Sequence, residues 1–160
     1  MTTIRIADIG DAKVLAKLNA FVQELHLKHR PDHFKETGVS KLEAWYESLL
    51  ERPTTRAWIA EAQGRPVGYL LAILRDVPEN PFTKARAWLE VDQIAVDPNY
   101  RRQGVARALV SKAIAYAHEE GADRIEASSW SFNQEAHNLF GHLGFIPKII
   151  RFELDTGDTE

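Results

Sequence analysis

The segment from residue 92 to residue 110, DQIAVDPNYRRQGVARALV, constrains the fold more than any other part of the chain. It begins as an apolar strand-like run, Ile94 to Val96, which breaks at Asp97 and Pro98. It continues after Gly104 as a helix whose apolar residues recur at spacings of three and four, which predicts one face packed on a core. A strand, a tight turn and a helix in direct succession are typical of a layered α/β domain.

The rest of the chain extends this pattern to the order β-α-α-β-β-β-α-β-α-β. A β-hairpin is predicted by the segments TRAWIAEA and PVGYLLAIL, which lie on either side of Gln63 and Gly64. A third long strand is predicted by ARAWLEVDQIAV, and the last strand by IPKIIRFEL. Strict alternation along the third strand places Glu90, Asp92 and Ile94 on one face. The predicted fold class is α/β (α+β layered) with a mixed sheet. A length of 160 residues predicts a single domain over residues 1–155, followed by an acidic tail at residues 156–160.

Composition excludes several function classes. The chain has no cysteine, so disulfides, thiolate metal sites and a cysteine nucleophile are excluded. A net charge of −3 gives no general reason to expect nucleic acid or an anionic membrane as a partner. The first thirteen residues carry charges where a signal peptide needs an apolar core, and no apolar run approaches the length of about 20 residues that spans a bilayer. These features predict a cytoplasmic protein with no nucleic-acid or membrane partner.

The turn between the strand and the helix has the chemistry of an anion site. The first N–H groups of a helix have no intrahelical partner, and the helix dipole places partial positive charge there. Gly104 allows an anion to approach the backbone, and Arg101 and Arg102 add charge, so the turn favours a phosphate. The alternative is an ordinary strand-to-helix turn with a solvated basic face. The chain lacks the Gly-Lys-Ser/Thr ending of a P-loop and the G-x-G-x-x-G dinucleotide fingerprint.

Two motifs carry a resemblance to a known family. Arg101-x-x-Gly104-x-Ala106, with the strand before it, resembles the acetyl-coenzyme A signature of the GNAT superfamily of N-acetyltransferases. NQEAHNLFGHLGF, which begins at Asn133, is similar to the family's second segment, and the two motifs together cover about residues 87–146. The resemblance implies a mixed, mostly antiparallel central sheet flanked by helices. It also implies acetyl-CoA as cosubstrate, no metal, and compatibility with a homodimer.

The resemblance assigns cofactor-binding roles by position. Backbone amides from Arg102 to Arg107 would hold the diphosphate of coenzyme A, and Ile94 and Val96 would pair through their backbone with its pantetheine arm. Asn133 would contact the cofactor near the pantetheine, although its residue type fits a simple helix N-cap equally well. The expected cofactor-binding residues are Ile94, Ala95, Val96, Arg101, Arg102, Gln103, Gly104, Val105, Ala106, Arg107, Asn133 and Phe140.

Acetyl transfer to an amine needs a base, because an ammonium group with a pKa of about 10.4 is not nucleophilic. Many family members have a catalytic glutamate, acting through water, at the position of Glu90, and Asp92 is the second candidate. Burial beside Trp88 and Val91 would make Glu90 a stronger base. The alternative is a plain surface carboxylate near the strand start.

The tyrosine that usually acts as the acid in this family is replaced by Phe140, which has no hydroxyl. Water, or the hydroxyl of Ser129 or Ser131, would then protonate the leaving thiolate. The third alternative is that the protein binds acetyl-CoA without turnover. Two functions follow: an N-acetyltransferase that acetylates a primary amine of a small molecule, peptide or protein, by direct attack through a tetrahedral intermediate, and a non-catalytic acetyl-CoA-binding or interaction domain.

The acceptor is expected to be recognised by the first two helices and the loop before the central strand. His26 and His29 lie one helical turn apart and are predicted, with Glu90, to bind the acceptor. A metal site formed by His26, His29 and His33 is not expected, because Pro31 breaks the helix before His33 and no nearby carboxylate pattern completes a site.

Overall fold

A computed structural model describes residues 1–157, which divide into two compact units. The first unit, residues 1–128, contains eight helices and strands: β1 (Thr2–Ile6), α1 (Ala12–His29), α2 (Val39–Leu50), β2 (Thr55–Ala62), β3 (Arg65–Val77), β4 (Arg86–Val96), α3 (Val105–Glu119) and β5 (Ile125–Ala127). The second unit begins at Ser129 and contains α4 (Gln134–His142).

The five strands form one sheet in the order β1-β2-β3-β4-β5. The first four strands pair antiparallel, and β5 is parallel to β4. The predicted fold class, a mixed and mostly antiparallel sheet with flanking helices, is confirmed. The predicted last strand is wrong: residues 144–157 form no strand, so within the described residues the order ends at α4. Strand-like composition is a local property, whereas a strand needs a partner edge to pair with.

Helices cover both faces of the sheet in the first unit. One face carries Ile59, Tyr69 and Leu71, which form a buried core with residues of α1 and α2 such as Leu15 and Tyr46. On the other face α3 packs against β2, β3 and β4, and the ring centroids of Trp58 and Tyr116 lie 5.6 Å apart. β4 therefore lies in the middle layer of three. Helices α1 and α2, which the sequence predicts to recognise the acceptor, lie on one side, and α3, which follows the turn at Gly104, lies on the other.

A β-bulge at Asp92 interrupts the alternation of side chains along β4. Gln93 pairs with Leu71 and Val91 pairs with Ala72, so Asp92 is an extra residue with no partner on β3. An extra residue of this kind bends the strand and resets the side-chain alternation beyond it.

The bulge changes which residues share a face with Glu90. Glu90 pairs with Ile73, and Gln93 pairs with the residue two positions earlier on β3, so Glu90 and Gln93 lie on the same face. Ile94 pairs with Leu70 and lies on the opposite face. The predicted single face for Glu90, Asp92 and Ile94 is therefore wrong, because strict alternation has no place for the extra residue.

Candidate active site

The helix α3 begins with an open set of backbone donors. Its N-cap is Gly104, which supplies no side-chain cap, and the first bond of the helix runs from the Ala108 amide to the Gly104 carbonyl at 3.0 Å. Within residues 1–157, no acceptor is paired with the amides of Val105, Ala106 or Arg107. Unpaired N–H groups and the positive end of a helix dipole together favour the binding of an anion.

The backbone of the turn leaves open space beside Gly104. Gly104 has φ 80°, and a Cβ built on it would meet no atom within 4 Å. Arg102 also has a positive φ of 60°, which is uncommon for a residue with a Cβ. The Nε of Arg101 donates to the Val96 carbonyl at 3.3 Å, which ties the turn to the end of β4. The structure thus brings residues 101–107 together at one helix start, as the sequence predicted.

The edge of β4 that follows the bulge is unpaired on the β5 side. The parallel ladder joins only Leu89, Val91 and the residue between them to β5. From Asp92 to Val96, no strand of the described chain occupies that side of β4. An open edge presents backbone N–H and C=O groups to an extended ligand, and this one leads directly into the turn at Arg101.

Glu90 lies in a polar environment. Its Oε2 accepts a hydrogen bond from the Nε of Arg75 at 3.2 Å, and the Glu90 side chain is 28% exposed. The expectation of burial among apolar neighbours is therefore not met, because the guanidinium of Arg75, two residues beyond the cross-strand partner Ile73, reaches the carboxylate.

Asp92 is the carboxyl group at this site whose proton affinity is raised. Desolvation raises the pKa of Asp92, repulsion by Glu90 raises it further, and attraction to Arg75 partly opposes both effects. Asp92 as a whole residue is exposed, so the desolvation of its carboxylate is partial. A carboxyl with a raised pKa is better suited to accept a proton near neutral pH than an ordinary aspartate.

A hydrogen-bonded cluster that the sequence did not reveal links four elements on the Glu90 face. The hydroxyls of Tyr46 and Tyr69 each donate to Oε1 of Gln93 at 2.6 Å. The Nδ2 of Asn19 donates to the Tyr69 hydroxyl at 3.0 Å, and the two phenolic oxygens lie 3.1 Å apart. Helices α1 and α2 are thereby joined to the central strands β3 and β4 beside the bulge.

The two histidines predicted to bind the acceptor lie in the last turns of α1. The His26 ring stacks on Phe34 with centroids 4.7 Å apart, and burial lowers the pKa of His26, so its ring is neutral at pH 7. The Nδ1 of His29 lies 3.0 Å from the Leu25 carbonyl. Over residues 1–157, no group of three or more metal-ligating side chains is placed to hold a metal ion.

In the second unit, Asn133 and Phe140 belong to α4. The Asn133 side chain accepts a hydrogen bond from the Ala136 amide at 3.1 Å, so this residue caps the helix. The Phe140 ring packs on Phe145 with centroids 5.1 Å apart. The predicted tail, residues 156–160, lies partly outside the described residues, and the single-domain boundary stays a prediction.

A family model decides the classification that the two motifs and the site geometry suggested. The model described as "Acetyltransferase (GNAT) family" matches residues 19–145. The chain belongs to this family. The resemblance proposed from the sequence is confirmed, and the match includes the phosphate turn, the open edge of β4 and both carboxylates.

Comparisons with individual proteins agree with membership of the GNAT family. An uncharacterised N-acetyltransferase of Methanocaldococcus jannaschii is 30% identical over 107 residues, which are 66% of this chain and 46% of the relative. N-acetyltransferase 8 of Homo sapiens is 30% identical over 99 residues, which are 62% of this chain and 42% of the relative. The GNAT chain therefore spans less than half the length of these two curated relatives.

Solved structures show the same fold. A mutant of the BH1408 protein from Bacillus halodurans has a TM-score of 0.90 at 23% identity, with 96% of this chain and 98% of that chain covered. A protein of Clostridium acetobutylicum, named a predicted acetyltransferase and solved with acetyl-CoA, has a TM-score of 0.73 at 17% identity, with 97% and 96% covered. Within residues 1–157 of the GNAT chain, none of the helices combines the length and the apolar character needed to cross a bilayer.

The features that the sequence reasoning missed are those of the Glu90 face of this GNAT chain. Arg75 reaches Glu90 from β3, and Gln93 is held by two tyrosines that are far apart in sequence. The available signal was a tyrosine within the aliphatic run of β3 and a glutamine within the apolar run of β4, since a buried polar side chain needs a partner.

Proposed function

We propose that this protein is an acetyl-CoA-dependent N-acetyltransferase that transfers the acetyl group to a primary amine by direct attack. The observation that carries the proposal is the continuity of two binding surfaces. The unpaired edge of β4 from Asp92 to Val96 ends at the turn whose amides, from Val105 to Arg107, have no acceptor among the described residues. One molecule with an extended arm and a diphosphate fits both surfaces.

The diphosphate of acetyl-CoA would accept hydrogen bonds from the amides of residues 102–107, with charge supplied by Arg101 and Arg102. The pantetheine arm would pair with the backbone of Ile94, Ala95 and Val96 in the manner of an added strand. The absence of a Cβ at Gly104, where nothing lies within 4 Å, supports the fit of a bulky anion. Asn133 and Phe140 are proposed as further contacts on the strength of the family motif alone.

The chemistry requires a base for the first proton of the ammonium group and a route to sulfur for the second. A carboxylate, Glu90 or Asp92, takes the ammonium proton of the acceptor, directly or through water. The free amine nitrogen attacks the thioester carbonyl carbon to give a tetrahedral intermediate. The C–S bond then breaks with its electron pair on sulfur, and the nitrogen loses its second proton, which passes through water to the thiolate. Water protonates the thiolate, because Phe140 has no hydroxyl and a thiol pKa of about 8.5 makes the thiolate a tolerable leaving group.

The acceptor is proposed to carry a cationic amine. Glu90 and Asp92 place two carboxylates at the bulge with one guanidinium, that of Arg75, beside them. The resulting net negative charge favours an ammonium group. His26 and His29 are proposed to line the approach as polar side chains at the end of α1.

The test combines cofactor binding with turnover. We expect acetyl-CoA to raise the melting temperature, and we expect release of free thiol when an amine from a panel is added. Gln substituted for Glu90 and Asn substituted for Asp92 should each leave the Kd for acetyl-CoA unchanged, and substitution of the residue that serves as base should lower kcat about 100-fold or more. Absence of any binding at millimolar acetyl-CoA would refute the proposal.

A second candidate, a non-catalytic acetyl-CoA-binding module, is favoured by one observation, the missing hydroxyl at Phe140. It predicts thermal stabilisation by acetyl-CoA, no thiol release with any amine, and no effect of either carboxylate substitution. Thiol release that depends on the added amine would exclude it.

A further inference from the structure

We propose that Gln93 is a specificity residue whose side-chain amide donates a hydrogen bond to the acceptor substrate, and that the preferred acceptor is an amine with a carbonyl oxygen close by, as in an α-amino amide. This inference rests on the proposed function and names the class of acceptor for it. It follows from how the Gln93 amide is oriented and from what shares its face of the sheet.

The orientation of the Gln93 amide follows from the lengths of its hydrogen bonds. The Tyr46 and Tyr69 hydroxyls both lie 2.6 Å from the same atom of the amide. Distances near 2.7 Å are typical of O–H···O bonds, whereas N–H···O bonds are centred near 2.9–3.0 Å. The atom between the two phenols is therefore the oxygen, Oε1, and the nitrogen points away from them.

The two phenols keep this orientation across neutral pH. Burial raises the pKa of Tyr46 to about 12 and that of Tyr69 well above the usual range, so both hydroxyls keep their protons. Because the Tyr69 oxygen accepts a hydrogen bond from Asn19, its own proton is left for Gln93. The amide oxygen thus has two permanent donors, the two phenolic hydroxyls. A 180° flip of the amide would place its N–H groups against these hydroxyl protons.

The Gln93 nitrogen is left as an accessible donor. Among the described residues, no side chain or backbone group accepts a hydrogen bond from Nε2 of Gln93. The only buried side-chain nitrogen or oxygen without a partner over residues 1–157 is the Thr55 hydroxyl, so Nε2 of Gln93, which has no partner among these residues, is not fully buried. A fixed and accessible N–H donor binds an acceptor oxygen at little cost in conformational entropy.

The position of Gln93 relative to Glu90 sets the spacing of the groups on the substrate. The bulge puts both residues on one face, separated by one pleat repeat of about 7 Å. Each side chain lies about 3 Å from the substrate atom with which it forms a hydrogen bond. When the ammonium group of a substrate contacts the carboxylates at the bulge, a substrate atom that reaches Gln93 lies only a few bonds from the amine nitrogen. That atom must be a hydrogen-bond acceptor such as an oxygen, because Nε2 of Gln93 can only donate.

The test uses a pair of acceptors, alaninamide and isopropylamine, which differ in the presence of the carboxamide. Gln93→Leu removes the N–H donor together with the oxygen that accepts from the two phenols. Gln93→Glu keeps an oxygen between the two phenols but supplies no N–H, so a merely structural role predicts that it is tolerated. The third variant, Y46F, keeps the donor and loosens its orientation. Each variant is compared with the native protein on the same amine, which cancels the difference in basicity between the amines.

For alaninamide we expect Gln93→Leu and Gln93→Glu to lower kcat/KM about tenfold or more, chiefly through KM, and Y46F to have a smaller effect. For isopropylamine the change should stay within about threefold, and the Kd for acetyl-CoA should not change in any variant. Equal losses for the two amines, or full activity of Gln93→Glu on alaninamide, would overturn the inference.

An equilibrium measurement separates this inference from the proposed function. Calorimetric titration of alaninamide and isopropylamine into the protein with coenzyme A reports acceptor binding without turnover. Alaninamide should bind more tightly than isopropylamine, and Gln93→Leu should abolish that preference. A preference that survives in Gln93→Leu refutes the role of Gln93 even in an active enzyme. Loss of thiol release with the preference intact refutes the reaction and not the recognition.

Discussion

The Nε of Arg75 lies 3.2 Å from Oε2 of Glu90, so the carboxylate that the sequence favoured as base is an ion-pair partner in the structure. The neighbouring carboxyl, Asp92, carries the raised pKa, because it is desolvated at the bulge and repelled by Glu90. In acid–base sites, two adjacent carboxyl groups with different environments commonly have different pKa values and different roles. We therefore propose Asp92 as the proton-accepting group and Glu90 as the residue that raises its pKa.

The acid limb of the pH–rate profile is predicted to move in opposite directions in two variants. Glu90→Gln removes the repulsion that raises the pKa of Asp92, so the limb should shift to lower pH. Arg75→Met removes the attraction that lowers it, so the limb should shift to higher pH. The measurement is kcat/KM against pH with one amine. Arg124→Met, at an exposed ion pair with Asp123, is the control and should leave the limb in place. Shifts in the same direction would contradict the assignment of the limb to Asp92.

Gly104→Ala is predicted to weaken acetyl-CoA binding at least tenfold. The new methyl group would occupy the open space beside Gly104, where we propose that the diphosphate binds, and φ 80° is unfavourable for alanine. Gly121→Ala is a matched control, since Gly121 has φ 74° and equally open surroundings but follows the other end of α3. Both variants should lose about 1 kcal/mol of stability, but only Gly104→Ala should raise the Kd for acetyl-CoA. Equal affinities for the two variants would argue against the diphosphate site.

Asp11→Ala is predicted to lower the free energy of unfolding by about 2 kcal/mol near neutral pH. Arg5 donates to both carboxylate oxygens of Asp11 at 2.8 Å, and these bonds are the main reason that the pKa of Asp11 is lowered. A lowered pKa in the folded state means that the stabilisation is present above the unfolded pKa and is lost as pH falls through the folded pKa.

Denaturant melts of Asp11→Ala and the native protein at several pH values check this sign. The difference between the two proteins should be constant above about pH 5 and should shrink steadily in stronger acid. The control variant Asp123→Ala, at an exposed ion pair, should match the native protein throughout. A gap that widens on acidification would show that Asp11 is not the group that loses its interaction.

Thr55→Val is predicted to leave the fold intact and to stabilise it by about 1 kcal/mol. Thr55 is 9% exposed, and its Oγ1 is a buried atom without a partner among residues 1–157. Replacing the hydroxyl by a methyl group of similar shape removes the cost of desolvating it. Thermal or chemical denaturation measures the change, and destabilisation would indicate that a water molecule or a ligand satisfies this hydroxyl.

Much of the fold, and the helix start at Gly104, could be predicted from the sequence. The α3 stripe, the two-strand hairpin around Gly64, and the turn at Gly104 are all encoded by residues close together in the chain. A glycine after two arginines at a strand end places both the positive φ and the open amides, because helix starts depend on a handful of neighbouring residues. The missing hydroxyl at Phe140 and the helix cap at Asn133 could likewise be predicted from the residues themselves.

The tertiary structure alone decided the arrangement around the two carboxylates. The extra residue at Asp92 shows only in the pairing of β4 with β3, and it moves Glu90 away from the face of Ile94 and onto that of Gln93. The partners of Gln93 come from positions 46 and 69, and no local pattern connects them. Helix and turn signals arise from contacts within a few residues, whereas strand register and buried hydrogen bonds depend on distant parts of the chain. For that reason the sequence by itself determined the class of fold and the helix start with its unpaired amides, and only the folded sheet determined which side chains lie around the two carboxylates.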